Sequence, residues 1–254
     1  MSIVNDARTK FLRHEKERRD KEYAKKKRKK KGWSKGNIWA TNVGDCHRKA
    51  ILRVRGKPGQ DTFTARSLDY IDMGIEMEDR NADALLFEYG DRLEQQLELR
   101  YDMLSGKPDF VIENEDGTVV VIEHKMTSEK HWDSDSKSDL PRHKHLGQAM
   151  MYMFIYELVY GVTPEVRIHY KAWGNYAEYE LQRQEDGSLI VHSDINGVLD
   201  VFNYEHDFYA EIRELMVWYD SAELPPKQEK KWKFCEFMGQ KSCGYYDYCW
   251  GKYG

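Results

Sequence analysis

Leu68, Ile71, Ile75, Ala82, Leu85 and Leu86 recur at roughly helical spacing, which predicts a helix from about Ser67 to Glu88. Downstream the period shortens. The runs "RLEQQLELRY", "KPDFVI" and "TVVVIEHKM" are brief, rich in β-branched residues and bounded by turn formers, so three strands are expected. "LPRHKHLGQAMMYMFIYELVYG" predicts a helix of about five or six turns ending at Gly161, where glycine suits the left-handed position after a helix. "PEVRIHYKAW" and "YAEYELQRQ" predict two more strands, and "INGVLDVFNYEHDFYAEIRELMVWYD" one long helix closed by Pro225 and Pro226. Ahead of all these, "VGDCHRKAILRVRG" predicts a helix with Asp45 as N-cap and Gly56 as its stop. The order helix, three strands, helix, two strands, helix implies an α/β protein with a mixed central sheet flanked by helices.

Composition changes this picture chiefly at the ends. The chain has 254 residues, 40% hydrophobic and 13% aromatic, enough for a core. Its net charge of -4 conceals an asymmetry, because residues 8–31 hold fourteen basic and four acidic side chains. The block Lys25, Lys26, Lys27, Arg28, Lys29, Lys30 and Lys31 repels itself and attracts phosphate, so residues 1–32 are expected to be a basic arm and 33–254 the folded domain. A solvated, partly helical arm without a nucleic-acid contact is the other reading of that block. With no apolar run of membrane-spanning length and a charged N-terminus, a cytoplasmic protein without a membrane contact is expected. Four cysteines in a chain of this size suit reduced thiols or metal ligation better than a disulfide framework.

The chemistry concentrates in "GKPDFVIENEDGTVVVIEHK", residues 106–125. Asp116-Gly117 is a favoured hairpin turn, and a hairpin folded about it sets Asp109 across from Glu123 or its neighbour. Facing Cβ atoms in such a pair lie about 4.5–5.5 Å apart. Strand alternation puts Glu123 and Lys125 on one face, with Ile122 and His124 on the other. Two buried acids are unfavourable together unless a hard cation lies between them, and oxygen ligands suit Mg2+ or Mn2+ better than zinc. An isolated Glu-x-Lys is ordinarily only a surface ion pair.

The full arrangement, "PD", thirteen residues, then "EHK" closing a Val/Ile run, resembles the core of the PD-(D/E)XK nucleases. That resemblance implies a restriction-endonuclease-like core in which Asp109, Glu123 and the backbone carbonyl of His124 hold the catalytic metal while Lys125 assists the attacking water. RecB-like and phage exonuclease branches carry a glycine followed four residues later by His or Glu. Gly74 and Glu78 match the Glu version of lambda-type exonucleases, with Glu76 as the neighbouring alternative. "GQAMMYM" supplies Gln148 and Tyr152, similar to the QxxxY motif of the same branches; residues four apart share a helix face.

Cys46 precedes this core, and Cys235, Cys243 and Cys249 follow it. This resembles the iron-sulfur nucleases, the CRISPR-associated exonucleases and AddB-type helicase-nucleases, and implies a 4Fe-4S cluster joining the termini. The seven-residue gap from Cys235 to Cys243 departs from the pattern, which leaves Cys235 the least secure ligand. Zn2+ and unligated thiols are the alternatives. Taken together, the resemblance implies a Mg2+- or Mn2+-dependent deoxyribonuclease, an exonuclease of prokaryotic or phage DNA metabolism. Its partners would be DNA, further copies of itself, or recombination or CRISPR proteins. Trp173 and Trp232 are available for base stacking or for core packing. The reading from another class is a non-catalytic DNA-binding subunit of a recombination or CRISPR adaptation complex; RNA as the substrate fits the same residues.

Overall fold

Two short turns decide the topology. Asp116-Gly117 closes the first hairpin as expected, with Gly117 at φ 80°. Asn196-Gly197 closes another at φ 52° and 83°, the left-handed pair that a two-residue hairpin turn needs. The stretch expected as one long helix therefore divides: residues 198–204 form a strand, and the helix begins only at Phe208. Val198, Val201 and Phe202 simulate a helical stripe, but the Asn-Gly signal overrides it.

The computed structural model describes residues 36–57, 59, 65–127, 140–172, 174–227, 236–237, 240–241 and 243–250. The strands are β1 (Ile38–Trp39), β2 (Leu93–Gln95), β3 (Leu99–Tyr101), β4 (Leu104–Gly106), β5 (Phe110–Glu113), β6 (Val119–Met126), β7 (Glu165–Ala172), β8 (Asn175–Arg183), β9 (Leu189–Ile195), β10 (Val198–Tyr204), β11 (Glu236–Phe237) and β12 (Gln240–Lys241). The helices are α1 (His47–Val54), α2 (Ala65–Tyr89), α3 (His143–Tyr160), α4 (Phe208–Asp220) and α5 (Tyr246–Cys249), with 3-10 turns at Ala40–Asn42 and Gly90–Arg92. Seven strands form the main sheet in the order β10-β9-β8-β7-β6-β5-β2, and β1-β4-β3 form a small one. In the main sheet only β6 and β7 run parallel, joined by the crossover helix α3. The architecture is thus the expected mixed α/β one, consistent with a restriction-endonuclease-like fold.

Helix α3 is the centre of the core. Eleven of its eighteen residues are buried, so it is covered on more than one side. The sheet strands β6 and β7 lie along it, and the 40–42 turn and α4 pack elsewhere on its surface. Its end is as expected, with Gly161 left-handed at φ 69°. Among the described residues no helix is long and apolar enough to cross a membrane.

Two other expectations are corrected. Cys46, not Asp45, is the N-cap of α1; the Asp45 carboxylate accepts from the Cys46 N–H at 2.8 Å and pairs with Lys49 at 2.6 Å. "RLEQQLELRY" is not one strand. Gln96 takes a left-handed φ of 55°, uncommon for a residue with a side chain, and the chain leaves the main sheet there to enter the small one.

Candidate active site

The hairpin register is Phe110↔Ile122 through Glu113↔Val119, so Asp109, one step before β5, falls level with Glu123. At that level Asp109 Oδ2 accepts the His124 N–H at 2.7 Å. Alternation along β6 then sorts the side chains. Glu123 and Lys125 share a face and form an ion pair. His124 lies on the other face, edge-on to Phe110 and His169 at centroid distances of 5.1 and 4.9 Å and 2.8 Å from the Asn81 amide. Burial, with the charges of His169 and Lys125, lowers the His124 pKa to about 3, so its ring is neutral.

Helix α3 supplies the next layer. Gln148 donates from Nε2 to Glu123 Oε1 and to the Tyr152 hydroxyl, both at 2.7 Å. Tyr152 in turn donates to the Lys107 carbonyl at 3.3 Å. Burial raises its pKa well above the ordinary value, and the nearby Glu123 charge adds to this, so the hydroxyl keeps its proton and remains a donor. The ring fits only because residue 106 is glycine: a Cβ there would sit 2.8 Å from the Tyr152 ring.

On the far side stand Glu78 of α2 and Gln96. The Gln96 amide nitrogen is 2.5 Å from Glu78 Oε1 and 3.1 Å from Asp109 Oδ1, while its backbone N–H donates to the Asp109 carbonyl at 3.0 Å. One side chain therefore bridges two carboxylates, and its left-handed backbone is what brings it there. Gln96 is the site residue that sequence reasoning missed; its only signal is that it interrupts an otherwise strand-like run. Glu76, the alternative to Glu78, is exposed and lines a separate cleft with Asp72, Arg80 and Lys171.

Thus Glu78 and Asp109, bridged by Gln96, and Lys125, Glu123, Gln148 and Tyr152 form two hydrogen-bonded groups that adjoin at the His124 N–H and are coupled by charge. Their electrostatics are unfavourable as they stand. Burial, followed by the charges of Glu123 and Glu78, raises the Asp109 pKa to about 8, against the opposing His124 N–H and Lys125. Glu78 is also raised, by burial first and then by Glu123 and Asp79, while Gln96 and Lys107 pull it down. Glu123 is only 3% exposed, and its Oε2 is buried without a hydrogen-bond partner. A buried carboxylate oxygen left unpaired among three acids is costly unless a cation completes it. The all-oxygen donor set suits Mg2+ or Mn2+, so the residues fit the expected metal.

The cysteine segments also meet. Cys46, Cys243 and Cys249 are buried; Lys49 is within electrostatic reach of both Cys46 and Cys243, and Cys243 of Cys249. Burial pushes the Cys243 thiol up, opposed by the Tyr245 N–H, 3.4 Å from its sulfur, and by Lys49. Cys235, the basic block Lys25–Lys31, Trp173 and Trp232 lie outside the described residues.

Comparison with known proteins bears on the same stretch. A family model of the PD-(D/E)XK nuclease superfamily matches residues 49–250. Among solved structures, one described as "Crystal structure of SSO0001" is 17% identical, covers 70% of this chain and 77% of its own, and superposes with a TM-score of 0.42. No curated protein matches the chain.

Proposed function

The chain belongs to the PD-(D/E)XK nuclease superfamily, whose members are metal-dependent nucleases, and we propose that it is a Mg2+- or Mn2+-dependent deoxyribonuclease acting as an exonuclease in DNA processing. The observation that carries this reading is Glu123 Oε2, buried and unpartnered beside the acids that would share an ion with it. Asp109, Glu123 and Glu78, with the His124 carbonyl, would hold the cation. When bound, the ion lowers the pKa of a water molecule and neutralises charge on the scissile phosphate.

The remaining work falls to the protein's own groups. His124 N–H fixes one Asp109 oxygen and Gln96 the other, so the carboxylate plane is set from both sides. Gln148 and Lys125 both occupy Glu123 Oε1, which leaves Oε2 as the ligand atom. Lys125, held by its ion pair with Glu123, would orient the attacking water or stabilise the developing charge on the phosphate. Tyr152, tied to the Lys107 carbonyl, sets the rotamer of Gln148 and so acts by positioning.

Glu78 one helix away and the Gln148–Tyr152 pair on α3 support the RecB-like branch with a lambda-type first motif. Buried Cys46 and Cys243, both near Lys49, and buried Cys249 near Cys243 support a 4Fe-4S staple completed by Cys235. Residues Lys25–Lys31 would give sequence-independent phosphate affinity. Recombination or CRISPR partners, or further copies of the chain, fit this context.

The test is digestion of linear and circular DNA with Mn2+ by wild type and Glu123→Ala after anaerobic purification, with an iron assay and a visible absorbance scan. Loss of linear DNA alone, abolished in Glu123→Ala, is expected. Equal cleavage by both proteins refutes the assignment, and DNA binding without any cleavage favours a non-catalytic subunit.

A further inference from the structure

Away from the hairpin, three helix starts converge. His47 opens α1, His143 opens α3, and Glu211 lies in the first turn of α4, with His206 just before it. They line a cleft of about 400 Å³ together with Asp45 and Glu214. One ligand atom from each of His143, His206 and Glu211 lies within 4.8 Å of the other two.

The second sphere is already in place. Glu211 is 8% exposed, and its oxygens are divided between two duties. Oε1 accepts the Gly44 N–H at 2.7 Å and meets His47 Nε2 at 3.1 Å. Oε2 meets His206 Nε2 at 2.8 Å. The Tyr204 hydroxyl engages His143 Nδ1, which leaves Nε2 as its ligand atom. The imidazoles of His143 and His206 stand edge-on at 4.6 Å and 76°.

We propose that His143, His206 and Glu211 form a second metal site, structural and of the zinc class, that ties the starts of α3 and α4 to the 44–47 segment. Two imidazoles and a carboxylate are a mixed nitrogen-oxygen set that suits Zn2+, unlike the all-oxygen hairpin site. Ligands about 2.0–2.1 Å from a tetrahedral ion lie about 3.4 Å apart, so rotation of the two solvent-facing imidazoles brings the three protein ligands into range and leaves the fourth position to water. The ion replaces the hydrogen between His206 Nε2 and Glu211 Oε2, and the imidazole proton moves to Nδ1. Hydrogen bonds to the other atoms of Glu211 and His143 are the outer partners that orient metal ligands. Glu214, on the rim of the same cleft and 3.5 Å from His47 Nδ1, adds a further acid that favours a cation there.

The test is Zn2+ titration of the metal-stripped full chain with Mg2+ present in excess, followed by Co2+ substitution. Wild type is expected to bind one Zn2+ beyond those held by thiols. His143→Ala and His206→Ala should each weaken that site at least about 100-fold, and Tyr204→Phe about 10-fold. The Co2+ spectrum should show nitrogen-oxygen ligation that survives Cys243→Ser and Glu123→Ala, which separates the site from the cysteines and from the hairpin. His206→Gln keeps a hydrogen bond to Glu211 and guards against a variant that fails to fold. Zn2+ binding unchanged in folded His143→Ala and His206→Gln proteins, or no Zn2+ uptake beyond the thiols in wild type, overturns the proposal.

Discussion

Among the described residues two carboxylates are buried, in opposite circumstances. Glu123 has one oxygen held by Gln148 and Lys125 and the other without a partner, beside two acids whose pKa values are raised. Glu211 has donors on both oxygens, and its pKa is lowered: burial opposes the shift, but hydrogen bonds from His47, His206 and the Gly44 N–H outweigh it. The first arrangement is unfavourable by itself and acquires sense from an ion. The second is stable as it stands, holding three segments of chain together, and an ion would only strengthen it. An unsatisfied buried group is therefore the better pointer to chemistry, and a satisfied one to architecture.

Three substitutions separate these roles. Lys125→Ala should reduce cleavage by about 10²–10³-fold, the loss typical of a preorganised charge at a reacting centre; single-turnover assays at saturating Mn2+ check it. Glu211→Ala should act on stability instead. Removing the acceptor of three donors is expected to cost roughly 3 kcal/mol, about 10 °C in melting temperature for a chain of this size, read by thermal denaturation in chelator.

The third substitution concerns pH. Metal-free Asp109 keeps its proton in the folded state up to about pH 8, whereas the unfolded chain loses it in the ordinary Asp range. The folded state thus binds more protons across that interval, so stability falls as the pH rises from about 4 to about 8 and is level above it. In Asp109→Asn this component should vanish, so its melting temperature should no longer fall with rising pH across the interval as that of the wild type does. Saturating Mg2+ should remove the same slope from wild type, because the ion takes the proton's place; a slope that persists with Mg2+ would separate Asp109 from the metal.

How much of this was legible follows from distance along the chain. The Asp109–Glu123 pairing lies within a single hairpin, and its turn residues, alternation and register all speak within twenty positions. Gln148 and Tyr152 were legible as a pair on one helix face, but that the face meets Glu123 depends on the β6-α3-β7 crossover. Gln96 was not legible, because the two acids that its side chain bridges come from other elements and its left-handed backbone has no local turn signal. The same applies to His143, His206 and Glu211, scattered over three segments with no local period. Strands β9 and β10, neither of them expected, are different in kind: Asn196-Gly197 is the local signal of their hairpin, and the strong helical pattern of Phe208 to Asp220 obscures it.

The sheet order has a last consequence, for how the site comes apart. Glu123 and Lys125 stand on β6, flanked by β5 and β7, where amide exchange with solvent should require near-global unfolding. Gln96 follows β2, the edge strand, and Glu78 lies on a helix outside the sheet, so both can detach in smaller, cheaper excursions. An ion shared between Glu78, Asp109 and Glu123 would link the slowest-exchanging strand to the frayed margin, and protection should spread outward from β6 as metal is added.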